Sequence, residues 1–177
     1  VGLLEGPITG AADHLVIHLS GRGGHTSRPH LTEDLTFALG KLLTELPAVL
    51  SRRIDPRAGV SVVWGQVEAG VAPNVIPAEG RMSGTVRMLD ADAWTVAEDV
   101  VRRAVQLLAE PYVVEALVHY TRGVPPVVNA AAATAALRRA ALTVLGPTGV
   151  ATTRQSLGGE DFGWYLQQVP GALARLG

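Results

Sequence analysis

Apolar positions change period several times along the chain, and each change marks an element. His14-Leu15-Val16-Ile17-His18-Leu19 alternates with a period of two, which predicts a half-buried strand over about Ala11 to Ser20. From Leu31 the spacing becomes three and four, through Leu35, Ala38, Leu39, Leu42, Leu43, Leu46 and Leu50. This predicts an amphipathic helix to Arg53, with Thr32, Glu33 and Asp34 as its capping hydroxyl and acids. Pro47 lies inside that pattern and should kink or break it near Leu46. Gly59 to Glu68 returns to a period of two with apolar residues on much of both faces, which predicts a central strand. Residues 69–77 lead to another strand, Ala78 to Leu89. Asp90 then caps a helix through Ala109 whose stripe is Trp94, Val96, Ala97, Val100, Val101, Ala104, Val105 and Leu108, and Tyr112 to Tyr120 is the fourth strand. Strand, helix, strand, strand, helix, strand is an α+β, ferredoxin-like split βαβ order: a four-stranded antiparallel sheet with two helices on one face, over about Asp13 to Thr121.

Past Gly123 the character changes. Ala130 to Leu145 is alanine-rich, with Leu137, Ala141 and Leu142 on one face, and reads as a helix ended by Gly146-Pro147. Ser156 to Phe162 opens a short helix through about Gln168, and Ala172 to Ala174 begins a strand. One helix, one short helix and one strand cannot enclose a core of their own, so this tail needs a neighbour to bury it.

Composition narrows the field. At 177 residues the chain can bury a real core. Its net charge of -1, with 15 scattered basic residues, gives no electrostatic case for nucleic acid or an anionic membrane. Without cysteine there is no thiol chemistry and no disulfide frame. No apolar run suits a membrane span and the N-terminus lacks a signal-peptide pattern, so the expectation is a cytoplasmic protein. The chain starts at Val1 and stops just after an apolar run, so both ends read as interior to a longer polypeptide.

Candidate chemistry concentrates in Gly21-Arg22-Gly23-Gly24-His25-Thr26-Ser27-Arg28-Pro29-His30, between the first strand and the first helix. Its glycines let the backbone take positive φ and approach other groups closely, and Pro29 fixes the exit. His25 on such a loop is presented to its surroundings; the same glycines also serve plain turn chemistry, and a histidine beside them can be a solvated surface residue. His30 can cap the next helix or face solvent. Trp64 and Trp94 read as core. His14 and His18 share a strand face roughly 13 Å apart, too far to chelate one ion, and no histidines group with acids at ligand spacing.

These blocks resemble a known family. Gly21-Arg22-Gly23-Gly24-His25 with Pro29-His30, Asn74-Val75-Ile76-Pro77, Gly84-Thr85-Val86-Arg87, Gly123 to Asn129, and Gly158-Gly159-Glu160-Asp161-Phe162 with Tyr165 and Pro170-Gly171 stand in the order of the metal-dependent aminoacylase and carboxypeptidase superfamily. The likeness is to its branch of N-acyl-amino-acid amidohydrolases and hippurate hydrolases. It implies a lid, or dimerisation, domain over 10–121, with 1–9 and 122–177 as a remnant of a zinc-peptidase-like α/β catalytic domain. It also implies a homodimer through the lid, small N-acyl amino acid substrates, and a divalent metal, zinc or similar, in the parent enzyme. The family's metal-ligand and catalytic-glutamate motifs lie mostly outside the blocks matched here, so no metal site is expected within the chain, and alone it should not turn over substrate. By the same resemblance His25 stabilises the oxyanion of the tetrahedral intermediate in the partner's active site. Asn74 and Arg87 hold the substrate carboxylate, and Gly158, Gly159 and Glu160 line the cleft. The competing reading is a non-catalytic dimerisation or binding module that keeps the lid fold.

Overall fold

A computed structural model describes residues 1–176, which divide into two compact units. One, the sheet unit, comprises Asp13–Val86 and Thr95–Arg122; the other, the split unit, comprises Val1–Ala12, Arg87–Trp94 and the chain from Gly123.

The sheet unit is built on β1 (Ala11–Ser20), α1 (Leu35–Arg53), β2 (Ser61–Ala69), β3 (Glu79–Met88), α2 (Ala91–Ala109) and β4 (Glu115–Val124). The sheet order is β2-β3-β1-β4, the expected split βαβ topology. Only alternate residues of β1 are buried: Leu15, Ile17 and Leu19 face the helices, while His14 and His18 are exposed. The core adds Leu35, Leu39, Leu42, Leu46 and Leu50 from α1, Val101 and Val105 from α2, and Met82 and Val86 from β3. Beneath it Tyr120 donates its hydroxyl to buried Asp13 at 2.6 Å. Burial, then that bond to a carboxylate, pushes the phenol far above its ordinary range.

Four expectations need correction. The first helix begins at Leu35, because Asp34 is the cap and accepts from the Phe37 amide at 3.0 Å. Thr32 and Glu33 are engaged elsewhere: Thr32 donates to the Pro29 carbonyl in a one-turn 3-10 segment, and Glu33 accepts from the Arg22 amide and guanidinium. Leu31 is consequently 53% exposed. Pro47 does not break α1, which runs unbroken to Arg53. The Leu43 carbonyl, which residue 47 would normally bond, accepts from the Trp64 indole N–H at 3.2 Å instead. The strand expected to be central, β2, is at an edge, with Val63 and Val67 exposed. Apolar residues on both faces do not distinguish a central strand from an edge strand that has yet to find its neighbour. The fourth strand starts at Glu115, because Glu110–Tyr112 coils into a 3-10 turn closed by Val113 in the left-handed region (φ 58°). Within the α2 stripe, Val96 is about half exposed.

In the split unit, Gly2–Leu3 runs parallel to Ala151–Thr152, and Gly6–Thr9 pairs antiparallel with Val127–Asn129. Two helices follow, α3 (Ala131–Leu145) and α4 (Phe162–Leu166). The strand expected at Ala172–Ala174 does not form. Instead the Asn129 side chain, 2% exposed, donates to the Leu4 and Leu173 carbonyls and accepts from the Leu173 amide, and Arg175 alone bridges Gly2. The anticipated apolar face of α3 lies open, with Leu137 and Leu142 both exposed and Thr134 its one buried residue.

Candidate functional site

The β1–β3 pairing does not stop where the sheet does. Beyond β1 the Gly21 amide donates to the Ala78 carbonyl at 2.9 Å, Gly24 pairs with Ile76, His25 pairs with Val75, and the Thr26 amide donates to the Asn74 carbonyl at 3.1 Å. The result is a two-stranded ribbon extending from the sheet, with His25 and Asn74 at its tip, both exposed. Gly23 is required inside it: a Cβ there would stand 2.5 Å from the Ile76 carbonyl oxygen and 2.9 Å from the Ala78 nitrogen. Arg22, paired with Glu33, fastens the ribbon's base.

The His25 ring is itself tethered, its Nδ1 accepting from the Ser27 amide at 3.1 Å. Beside the ribbon is an open, mostly apolar recess of about 840 Å³ whose wall includes Thr26, Phe37, Val71, Ala72, Val75 and Pro77, with Asp34 and Lys41 as its charged members. His30 is exposed in the 3-10 turn.

Arg87 and the Gly158–Glu160 loop belong to the other unit. Arg87 donates to the Leu157 carbonyl at 2.7 Å, which places its guanidinium against the residue preceding Gly158. The Gly158 amide donates to Ser156 Oγ, and its carbonyl accepts from the Gly10 amide. Gly159 has a packing reason of its own: a Cβ there would be 2.7 Å from Val124 Cγ2 and 2.9 Å from Ala12 Cβ. Glu160 is exposed. Thus the candidate residues fall into two groups, His25 with Asn74 and Arg87 with Gly158, Gly159 and Glu160.

The structure adds Thr26 and Ser27, which sequence reasoning left aside. The available signal was the β-prone Val75-Ile76 pair between two prolines, which could have been matched to Gly24-His25 as a hairpin partner. Elsewhere His18 meets His119 edge-to-face at 5.6 Å across β1 and β4, and not His14 along its own strand. Trp94, buried, packs against Trp164. Among the described residues no three or more His, Asp or Glu side chains are grouped so that they could hold a metal ion, and no helix is long and apolar enough to cross a membrane.

Residues 10–177 match peptidase family M20/M25/M40. The chain belongs to that family. Among curated proteins it is 48% identical, over 97% of its length, to 22% of a Rhodococcus jostii (strain RHA1) protein whose name places it among the glutamate–cysteine ligases. It is 31% identical to N-acetyldiaminopimelate deacetylase of Geobacillus thermodenitrificans, covering 98% of this chain and 46% of that one. It is 30% identical to N-acetyl-L-cysteine deacetylase of Bacillus subtilis, covering 100% and 42%. Among solved structures, Bacillus subtilis YXEP, a dinuclear metal binding peptidase of the M20 family, superposes with a TM-score of 0.75 at 27% identity, over 97% of this chain and 42% of that one. The chain therefore spans less than half the length of these relatives.

Proposed function

We propose that this M20 chain is the lid and part of the catalytic domain of a metal-dependent amidohydrolase that cleaves the amide bond of small N-acyl amino acids. The lid is residues 10–121, and 1–9 with 122–177 are catalytic-domain polypeptide. Family membership supports hydrolysis, and the deacetylase relatives support the acylated amino acid. The observation that carries the site is the ribbon tip, where a tethered imidazole and an asparagine occupy adjacent rungs of a two-stranded ribbon.

In this reading His25 donates to the oxyanion as the amide carbonyl is attacked, where a preorganised donor is worth most. Asn74 and Arg87 hold the substrate carboxylate, the guanidinium through paired charge-assisted bonds. Gly158, Gly159 and Glu160 line the cleft. Among the described residues no three His, Asp or Glu side chains group as a metal site would need, and the roles drawn here for this chain's residues are those of donors and carboxylate contacts. Two copies join through the lid, where edge strand β2 leaves Val63 59% exposed and its outer backbone groups unpaired by the sheet. The protein works in the cytoplasm, without nucleic-acid or membrane partners.

The test is release of free amino acid from a panel of N-acetyl and N-benzoyl amino acids by the full-length protein loaded with divalent metal, together with the encoded sequence on either side of the chain. The rival reading is a non-catalytic dimerisation or binding module that keeps the lid fold. No amine release across the panel, with no metal-ligand motifs encoded alongside, would establish that rival.

A further inference from the structure

We infer that Ser27 and Thr26 are positioning residues: the Ser27 amide holds His25 as its Nε2–H tautomer, and Thr26 fixes the spacing between His25 and Asn74. The inference rests on reading His25 as an oxyanion donor, and it follows from how the ribbon tip is wired.

A neutral imidazole has one nitrogen that donates and one that accepts. A backbone N–H can only donate, so the Ser27 amide, 3.1 Å from Nδ1, requires a lone pair there. The proton is left on Nε2, the nitrogen on the far side of the ring from the main chain. The other tautomer would set two N–H groups against each other. The turn that delivers the amide is closed by the Arg28 amide donating to the His25 carbonyl at 3.0 Å, so the contact belongs to the backbone and does not depend on the Ser27 side chain. An exposed imidazole would otherwise share its proton between the two nitrogens, and a donor whose proton is already on the outward nitrogen needs no rearrangement as charge develops.

Thr26 works along the other axis. Its amide at 3.1 Å and its hydroxyl at 3.4 Å both donate to the Asn74 carbonyl. With the Gly24–Ile76 and His25–Val75 pairs behind it, this ties the backbones of the two tip residues to each other. The close approach at Gly23 sets the strand separation on which both contacts depend.

The tautomer can be read in the 177-residue chain without any catalysis, by long-range ¹⁵N correlation spectra above the histidine titration range. His30, exposed and with no ring partner among the described residues, is the internal reference. The Nε2–H to Nδ1–H ratio of His25 should exceed that of His30 by about fivefold, the bias of one net hydrogen bond. Ser27→Ala should keep the ratio and Ser27→Pro should abolish it; Gly23→Ala should leave the ring tethered but speed exchange of the Thr26 amide. In the full-length protein Ser27→Pro should lower kcat by no more than about fivefold with KM nearly unchanged, and Ser27→Ala should be neutral. A wild-type His25 ratio equal to that of His30 overturns the inference whatever His25 does in catalysis, and requires no variant to fold. A locked ring whose replacement by Ala leaves kcat unchanged overturns the oxyanion reading, and with it the catalytic meaning of the lock.

Discussion

Trp64→Phe in backgrounds with and without Pro47 probes how a proline survives inside α1. At residue 47 the helix has no N–H to give Leu43, and the Trp64 indole supplies one at 3.2 Å. Removing that donor leaves a part-buried carbonyl unpaired, at a cost of about 1 to 2 kcal/mol, with roughly a further 0.5 to 1 kcal/mol for the smaller ring. Pro47→Ala returns an N–H to the helix, so in that background Leu43 keeps a partner when the indole is lost. Only the packing cost should then remain, and the two substitutions should couple by about 1 kcal/mol. Urea unfolding of the four proteins, followed by far-ultraviolet circular dichroism because a tryptophan is being deleted, measures this. At a slope of about 2 kcal/mol per molar the coupling corresponds to roughly 0.5 M in midpoint. Additive costs within about 0.3 kcal/mol, or an indole deletion that costs nothing, would refute the account of the proline.

Other expectations are quicker to state. The Tyr120 phenol is raised in the folded state, so the stability it contributes is complete below the ordinary value of 10 and is lost as pH climbs beyond it; Tyr120→Phe should flatten the alkaline limb of a Tm against pH curve, which is clean because Lys41 is the sole lysine. Gly159→Ala should destabilise by about 1 to 3 kcal/mol, since its Cβ would press on Val124 and Ala12; thermal melts would read it. In the full-length enzyme His25→Ala should lower kcat about 10²- to 10³-fold, whereas Arg87→Ala should mainly raise KM, its contact being shared by ground and transition states. Mixing His25→Ala subunits with subunits lacking the catalytic glutamate should restore part of the activity, and no recovery from verified heterodimers would mean that His25 serves its own subunit.

Legibility in the sequence tracked how local the cause was. The split βαβ order could be read because period two and period three-to-four spacing are written within single elements, as in Leu15-Ile17-Leu19 and Leu39-Leu42-Leu46. What escaped depended on residues far apart. Thr32 and Glu33 are plausible caps until Arg22 claims the carboxylate, and a helix-breaking proline is a sound expectation until a tryptophan 17 positions later meets the stranded carbonyl. Similarly His25 is conspicuous from its glycines, but its place one rung from Asn74 depends on the His25–Val75 pairing across about fifty residues, and the short Val75–Ile76 partner strand carries almost no pattern of its own.

That pairing makes the sheet a ruler for the ribbon. Because successive strand residues point to opposite sides and His25 is paired with Val75, a shift of one residue in the β1–β3 register would give His25 a different partner and exchange the faces on which the two strands' side chains meet. Deleting or inserting a single residue within Leu15–Ser20 should therefore be far more damaging to the tip than lengthening the turn at Gly70–Pro73, which lies beyond the last rung. The spacing of two tip side chains is thus inherited from hydrophobic residues buried many rungs below them, and drift in loop length around it is free to occur without disturbing that spacing.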